Sequence, residues 1–337
     1  MIKKVVVFPF LIMIGFSLII AIPISFLSDN LSSYDFYDDS FSYEYYPDSP
    51  STVECLNLNI ELGNVEIKYV NPPVNYHAKI AVYIEMAGPG LAGKDCFDYF
   101  IINEGNLTDS SIDFSLELQP GITGYEINSL IKNVTILVSL SKAIIFNIST
   151  FVINGNIKLS VPFNVQVNNL NAHITSGDIL FDLRNCIIEG NITGIGNQST
   201  IELRTYNIQC TKDSNWYLKN AVGDLILNIT QSVEMGANIT VDAEIGTQYT
   251  TAYVFYKDFS PNIGSILYIN QWEGYFPDEC EWVGYKNWKV LDTTPIKGYL
   301  FTSLDFPAQY NYNISLNNIT LNNNSQYQPY FWNLYNE

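Results

Sequence analysis

From Val53 onward, apolar and polar residues alternate in short runs that stop at glycine, proline or asparagine. Leu56, Leu58, Ile60 and Leu62 alternate, and the pattern crosses Gly63-Asn64 into Val65 and Ile67. Ile80, Val82, Ile84 and Met86 follow, ending at Gly88-Pro89-Gly90. Ile112, Phe114, Leu116 and Leu118 end at Pro120-Gly121, and then come Val134, Ile136, Val138 and Leu140. A period of two buries one face of a strand, and Gly, Pro and Asn mark where it turns. Residues 121–132 fit neither period and have room for a helical turn. Beyond Thr230 the alternation continues through Ile239/Val241, Tyr253/Phe255 and Tyr310/Tyr312/Ile314/Leu316.

Between Asn154 and Thr230 a corner recurs: Gly155-Asn156-Ile157, Gly177-Asp178-Ile179, Gly190-Asn191-Ile192 and Gly223-Asp224-Leu225, with a looser copy at Gly196-Asn197. With Gly190 taken as a turn within one unit, the main corners lie 19 to 27 residues apart, a repeat-unit spacing. Gly and Asn tolerate positive φ and turn the chain sharply. One short unit cannot bury its own apolar face, whereas stacked units close a continuous core. The expected fold is all-β: an elongated β-solenoid of short strands behind one N-terminal transmembrane helix. The alternative is a β-sandwich.

The corners Ser176-Gly177-Asp178-Ile179 and Val222-Gly223-Asp224-Leu225, with Leu62-Gly63-Asn64-Val65, resemble those of the putative-adhesin family of prokaryotic surface β-solenoids. The resemblance spans residues 53–325 and implies an elongated all-β surface domain with an adhesive role.

The N-terminus changes the picture from domain to exported protein. Lys3 and Lys4 precede a run of apolar and small residues over 5–27. A membrane span needs about 20 residues and a secretory core only about 7–15, and no Ala-x-Ala site closes the run. Residues 1–28 are expected to be a retained membrane anchor or a signal peptide. The body is then extracellular on a single-pass membrane protein, or secreted. Residues 29–52, rich in Asp, Ser and Tyr, read as a flexible acidic stalk. Residues 53–150 form an N-terminal β region or cap, 151–325 the repeats with an aromatic-rich lid, and 326–337 a tail.

Charge narrows the partners. With 34 acidic against 16 basic residues and a net charge of −18, the chain repels phosphate backbones, so nucleic acid is not an expected partner. The expected partners are the membrane through residues 5–27, surface glycans and other cell-surface proteins. Trp272, Tyr275, Trp282 and Trp288 crowd beside carboxylates, and they suit either a lid on an open core or a glycan-stacking platform.

Catalytic signatures are missing from the sequence. His77 and His173 have no ligands at metal spacing, and no nucleophile elbow, phosphate loop or zinc motif occurs. No enzyme activity, cofactor or metal is expected. The only arginines, in Asp182-Leu183-Arg184 and Glu202-Leu203-Arg204, put acid and base on one strand face. They read either as a small charged groove or as a solvent-facing ion-pair ladder. Cys186 and Cys210, separated by about one unit, are expected to form a disulfide between stacked strands. Aligning Leu183-Arg184 with Leu203-Arg204 puts Cys186 opposite Tyr206, so the bridge requires a bulge. Asn-x-Ser/Thr acceptors at Asn106, Asn133, Asn147, Asn191, Asn197, Asn228, Asn238, Asn313 and Asn318, with Asn30 and Asn323, make a glycoprotein the expectation.

Overall fold

The computed structural model describes residues 34–46, 53–246 (apart from 73, 90, 92, 106–109, 124–126 and 128), 250–258, 265–270, 289–292, 300–302, 312–318 and 332–335. These residues are all-β, forming one curled open sheet. The strands are β1 (Tyr34–Tyr45), β2 (Val53–Leu62), β3 (Asn64–Val70), β4 (Ala78–Pro89), β5 (Phe100–Glu104), β6 (Ser111–Leu118) and β7 (Ile131–Ser141). They continue as β8 (Ile145–Asn154), β9 (Ile157–Val161), β10 (Gln166–Arg184), β11 (Ile187–Ile188), β12 (Ile192–Tyr206), β13 (Gln209–Cys210) and β14 (Ser214–Gln231). The last are β15 (Ile239–Ile245), β16 (Thr250–Asp258), β17 (Ser265–Asn270), β18 (Lys289–Asp292), β19 (Leu300–Thr302), β20 (Tyr312–Asn318) and β21 (Trp332–Tyr335).

Three rows of parallel pairs organise the middle of the chain. In the first, Ile148, Leu170, Ile192, Trp216, Val241 and Ile314 are successive partners. In the second, Val65, Ile157, Ile179, Ile201, Leu225 and Ala252 follow one another. A short third row joins Val167, Ile188 and Cys210. The apolar members of these rows are buried and form one continuous core. Parallel pairing between these successive strands is the opposite of an antiparallel meander, and it explains why they are joined through corners rather than hairpins.

Two corner ladders set the turns. Gly63, Gly155, Gly177 and Gly223 all have positive φ, from 112° to 148°, and Gly155, Gly177 and Gly223 each pack on the backbone of a neighbouring corner. A Cβ on Gly177 would lie 1.5 Å from the carbonyl oxygen of Gly155, and one on Gly223 would lie 2.0 Å from that of Ser199. The rung between them is therefore Ser199, which pairs with Gly177. The Gly196-Asn197 copy expected from sequence instead lies inside β12. At the other corner Asn164, Asn185 and Asn207 take left-handed φ of 59°, 48° and 47°, which Asn tolerates better than most residues.

The N-terminal region is built differently. β2 and β3 pair parallel with β8 and β9 on one side and with β6 and β7 on the other. β4 runs antiparallel to β7, β1 antiparallel to β4, and β5 antiparallel to β6. The segment read as a flexible stalk is corrected over Tyr34–Tyr45: it is a strand paired with β4 along its length. Tyr37, Phe41 and Tyr43 pack against the core and Tyr45 is buried in it, while Asp38, Ser40, Ser42 and Glu44 face outward. The alternation was present in the sequence, carried by tyrosine rather than by aliphatic residues. In the ambiguous 121–132 segment, Ile127 N–H donates to the Thr123 carbonyl at 3.2 Å, one helical-type bond.

Among the described residues no helix is long and apolar enough to cross a membrane. Residues 5–27 lie outside them.

Candidate binding groove and polar face

Outward positions on β10, β12 and β14 converge on a groove of about 400 Å³. Its register follows from the parallel pairing: Asp182, Arg204 and Asn228 form one column, and Arg184, Tyr206 and Thr230 the next. Residues two apart on a strand share a face, so each arginine lies on the same side as the acid two residues before it. Arg184 Nε donates to Asp182 Oδ1 at 2.7 Å, and Arg204 donates to Glu202 through Nε at 2.5 Å and Nη2 at 2.7 Å. The carboxylates lie below the cations: Asp182 and Glu202 side chains are 18% and 20% exposed, Arg184 and Arg204 62% and 45%. The hydrogen bond that Arg184 donates to Asp182 raises the pKa of Arg184, and those that Arg204 donates to Glu202 raise the pKa of Arg204, so both stay charged. Both arginines line the same groove on adjacent strands, and the Arg204 charge opposes the rise at Arg184. The ion-pair ladder expected from sequence is thus present, and it lines a groove.

A second feature is the outward column running from Asp113 through Asn57, Ser149, Asn171, Thr193 and Tyr217 to Asp242, each residue the register partner of the next. None of these is buried. Beside it an asparagine ladder closes a corner. Asn169 donates through Nδ2 to Asn147 Oδ1 at 3.0 Å, Asn191 N–H donates to Asn169 Oδ1 at 2.9 Å, and Asn215 N–H donates to Asn191 Oδ1 at 2.9 Å.

The sequon asparagines therefore fall into groups. Asn147 and Asn191 are rungs of that ladder, Asn147 half-buried and Asn191 exposed. Asn197 and Asn228 are exposed on strands. Asn133 is half-buried and accepts from Thr135 Oγ1 at 3.0 Å. Asn238 is half-buried, its N–H donating to Asp213 at 2.9 Å, and Asn313 is half-buried in β20, which also carries Asn318. Asn106, Asn30 and Asn323 lie outside the described residues, as do Trp272, Tyr275, Trp282 and Trp288.

The expected Cys186–Cys210 bridge is not formed; both are free, buried thiols. The cause is register. Leu183 pairs with Thr205, and Ile188 pairs with Cys210, so the cysteines are offset by two residues along adjacent strands. At roughly 3.3 Å per residue and 4.8 Å between strands the Cα atoms lie about 8 Å apart, beyond the reach of about 7 Å. Burial pushes both thiols up to about 12.

One polar pair had no sequence signal. Glu54 is 1% exposed, and its Oε1 accepts from His77 Nδ1 at 2.6 Å, with the His77 side chain 22% exposed. Its other oxygen, Oε2, is buried without a hydrogen-bond partner. The two residues are 23 apart, and only the approach of the segment before β4 to the start of β2 brings them together. His173 stands against the Phe151 ring at 5.0 Å. Among the described residues no three His, Cys, Asp or Glu side chains converge as a metal site.

No protein-family model and no curated protein sequence matches the chain. Similar solved structures, all at low levels of likeness, include the following three. A putative cell adhesion protein from Clostridium sporogenes has a TM-score of 0.31 and 10% identity, covering 89% of this chain and 100% of that one. A putative adhesin from Bacteroides fragilis has a TM-score of 0.31 and 10% identity, covering 89% and 97%. A putative lipid binding protein from Parabacteroides distasonis has a TM-score of 0.26 and 13% identity, covering 84% and 97%. At such identity and TM-score these neighbours carry no inference about what this chain does.

Proposed function

We propose that the protein is an exported, non-enzymatic cell-surface protein whose repeats wrap as a β-solenoid and that works by contact, as a structural or adhesin-like element. The observation that carries this reading is the polar column from Asp113 to Asp242. Seven strands in register span about 29 Å along the sheet at roughly 4.8 Å each, a continuous outer face held by the buried rows beneath it. Residues 5–27 supply the membrane anchor in this reading, and exposed Asn191, Asn197 and Asn228 are the favoured glycan acceptors. The partners are surface glycans or other surface proteins.

The test is a display experiment. Cells carrying the full chain with a C-terminal epitope are treated intact with protease and scored for adhesion to cells of the same source. Loss of the epitope is expected, together with a several-fold loss of adhesion when Asn171 and Thr193 are both changed to Lys at unchanged melting temperature. A protected epitope, or adhesion indifferent to the face, overturns the reading.

A further inference from the structure

We propose that the groove formed by Arg184, Arg204, Tyr206, Asn228 and Thr230 binds a carboxylate-bearing saccharide of the uronic acid class. The inference goes beyond surface contact and stands on the geometry of this groove alone.

Four observations carry it. First, the chain has two arginines in 337 residues, and the fold sets both on adjacent strands at the same opening. Second, the ion pairs leave binding capacity. Arg184 meets Asp182 through Nε, whereas a guanidinium carries five N–H donors in a fork that fits a carboxylate two-pronged. Third, the exposure order puts cations outermost over a negative floor, so an anion arriving from solvent meets guanidinium first in a molecule whose net charge is −18. Fourth, Tyr206 is the register partner of Arg184 and is exposed. A flat ring beside the Asn228 amide and the Thr230 hydroxyl offers both a stacking face and hydrogen-bonding groups, which a bare acidic peptide does not use together.

The strands make the site rigid. All five residues sit on β12, β14 and the end of β10, whose inward neighbours Leu183, Leu203, Leu227 and Ile229 are buried. The groove is open, and its 400 Å³ lies at the small end of the range for ligand sites of about 300–1,000 Å³. A weak, salt-sensitive site for one or two sugar rings is the expectation. Asn228-Ile229-Thr230 is itself a sequon, so a glycan attached there would start inside the groove and compete with a free ligand.

The experiment uses the full chain in detergent, made in a host without N-glycosylation, titrated calorimetrically with an oligogalacturonate tetramer. Three comparison ligands are its methyl ester, a neutral galactose tetramer and tetraglutamate. Saturable binding of the free acid is expected, weakened at least tenfold by methyl esterification and about tenfold by R184Q, as for loss of a charge-assisted contact. Tyr206→Ala is expected to weaken binding several-fold. Both side chains are exposed, so unchanged melting temperatures confirm that the variants are folded. No binding, equal binding of ester and acid, or indifference to R184Q overturns the proposal. Tetraglutamate binding as tightly as the uronate makes this an acidic-peptide site and overturns the saccharide assignment. Neither result touches the surface-contact reading, which the display experiment decides.

Discussion

The N-terminal region and the central parallel strands bury the same kind of apolar row, yet they assemble on different sequence scales. From β8 to β16 each long strand pairs in parallel with one about 22 to 27 residues on. β2 and β3 instead pair with β8 and β9 across 92 residues, because the chain leaves to build β4 to β7 and then returns to the other side. These pairings are local in sequence and so can form in succession. The N-terminal strands must wait for a distant partner, whose loop-closure entropy comes before any reward. The corner ladder shows the same contrast in atoms. Gly177 in the repeats packs on the backbone of Gly155, whereas the nearest atoms to a Cβ on Gly63 are the side-chain tips of Val134 and Ile136, 2.8 Å away.

That contrast is broken most severely at the glycines. Gly177→Ala forces a Cβ against a carbonyl that cannot move without its whole strand, at a φ of +124°. We expect a loss above about 4 kcal/mol or failure to fold. Gly63→Ala meets side chains that can rotate, and a smaller loss is expected. Gly236→Ala, with nothing within 4 Å, is the neutral control. Chemical denaturation of the three variants decides; equal costs at Gly177 and Gly63 would remove the distinction. Trp216→Ala comes next. The ring is fully buried, its Nε1 donates to Ser214 Oγ at 2.8 Å, and it packs T-shaped against Tyr312 with centroids 6.2 Å apart. A loss of about 3–5 kcal/mol is expected, and a loss below about 1 kcal/mol would mean the repeat core tolerates a cavity.

Much of the core was legible because period-two alternation is local. Leu56, Leu58 and Ile60, or Val134 to Leu140, needed no partner to be recognised as one buried face. The corner glycines were legible for the same reason, save where Ser199 replaced one. What escaped was everything set by register. The pairing of Leu183 with Thr205 rather than Leu203 cannot be read from either strand alone; it brings Cys186 nearer to Cys210 than the Leu-Arg alignment does, yet the remaining offset of two residues still keeps the thiols apart. The aromatic edge strand β1 escaped because tyrosine serves as both surface and core residue. The groove was half-legible: the Asp-x-Arg and Glu-x-Arg faces were visible, but the meeting of Tyr206, Asn228 and Thr230 with them required the β12–β14 register.

The N-terminal region has its own weak point. His77→Leu leaves the Glu54 carboxylate buried without its partner, and a loss of about 3 kcal/mol is expected, since stranding one member of a buried pair is costly. Combining it with Glu54→Met should recover most of that loss, because an apolar pair of similar volume needs no compensation. A double variant no better than the single would show that the pair specifies the approach of β4 to β2. In the repeats the buried thiols give a milder effect. With Cys186 and Cys210 pushed up to about 12 by burial, the native thiols stay protonated and unreactive, so iodoacetamide should modify both only after unfolding. Their folded pKa lies above the unfolded value of about 8.5. Their contribution to stability is therefore complete below about pH 8.5 and is lost as the pH rises towards 12. Rapid native labelling of either cysteine would contradict the burial.

The smallest effect lies at the seam between the two regions, where Lys158 on β9 reaches Glu66 on β3 at 2.9 Å and Asn156 donates to Asn64 at 2.8 Å. The ion pair spans the long return of the chain, and so it is a direct probe of whether surface contacts help to close that seam. Both side chains are more than a third exposed, and water screens most of their attraction. A double-mutant cycle with Lys158→Ala and Glu66→Ala should give a coupling of about 0.2–1 kcal/mol, falling towards zero in about 1 M salt, where the screening length is about 3 Å. A coupling above about 2 kcal/mol that survives salt would mean that charge, and not only the buried rows of Val65 and Ile157, holds the N-terminal strands to the repeats.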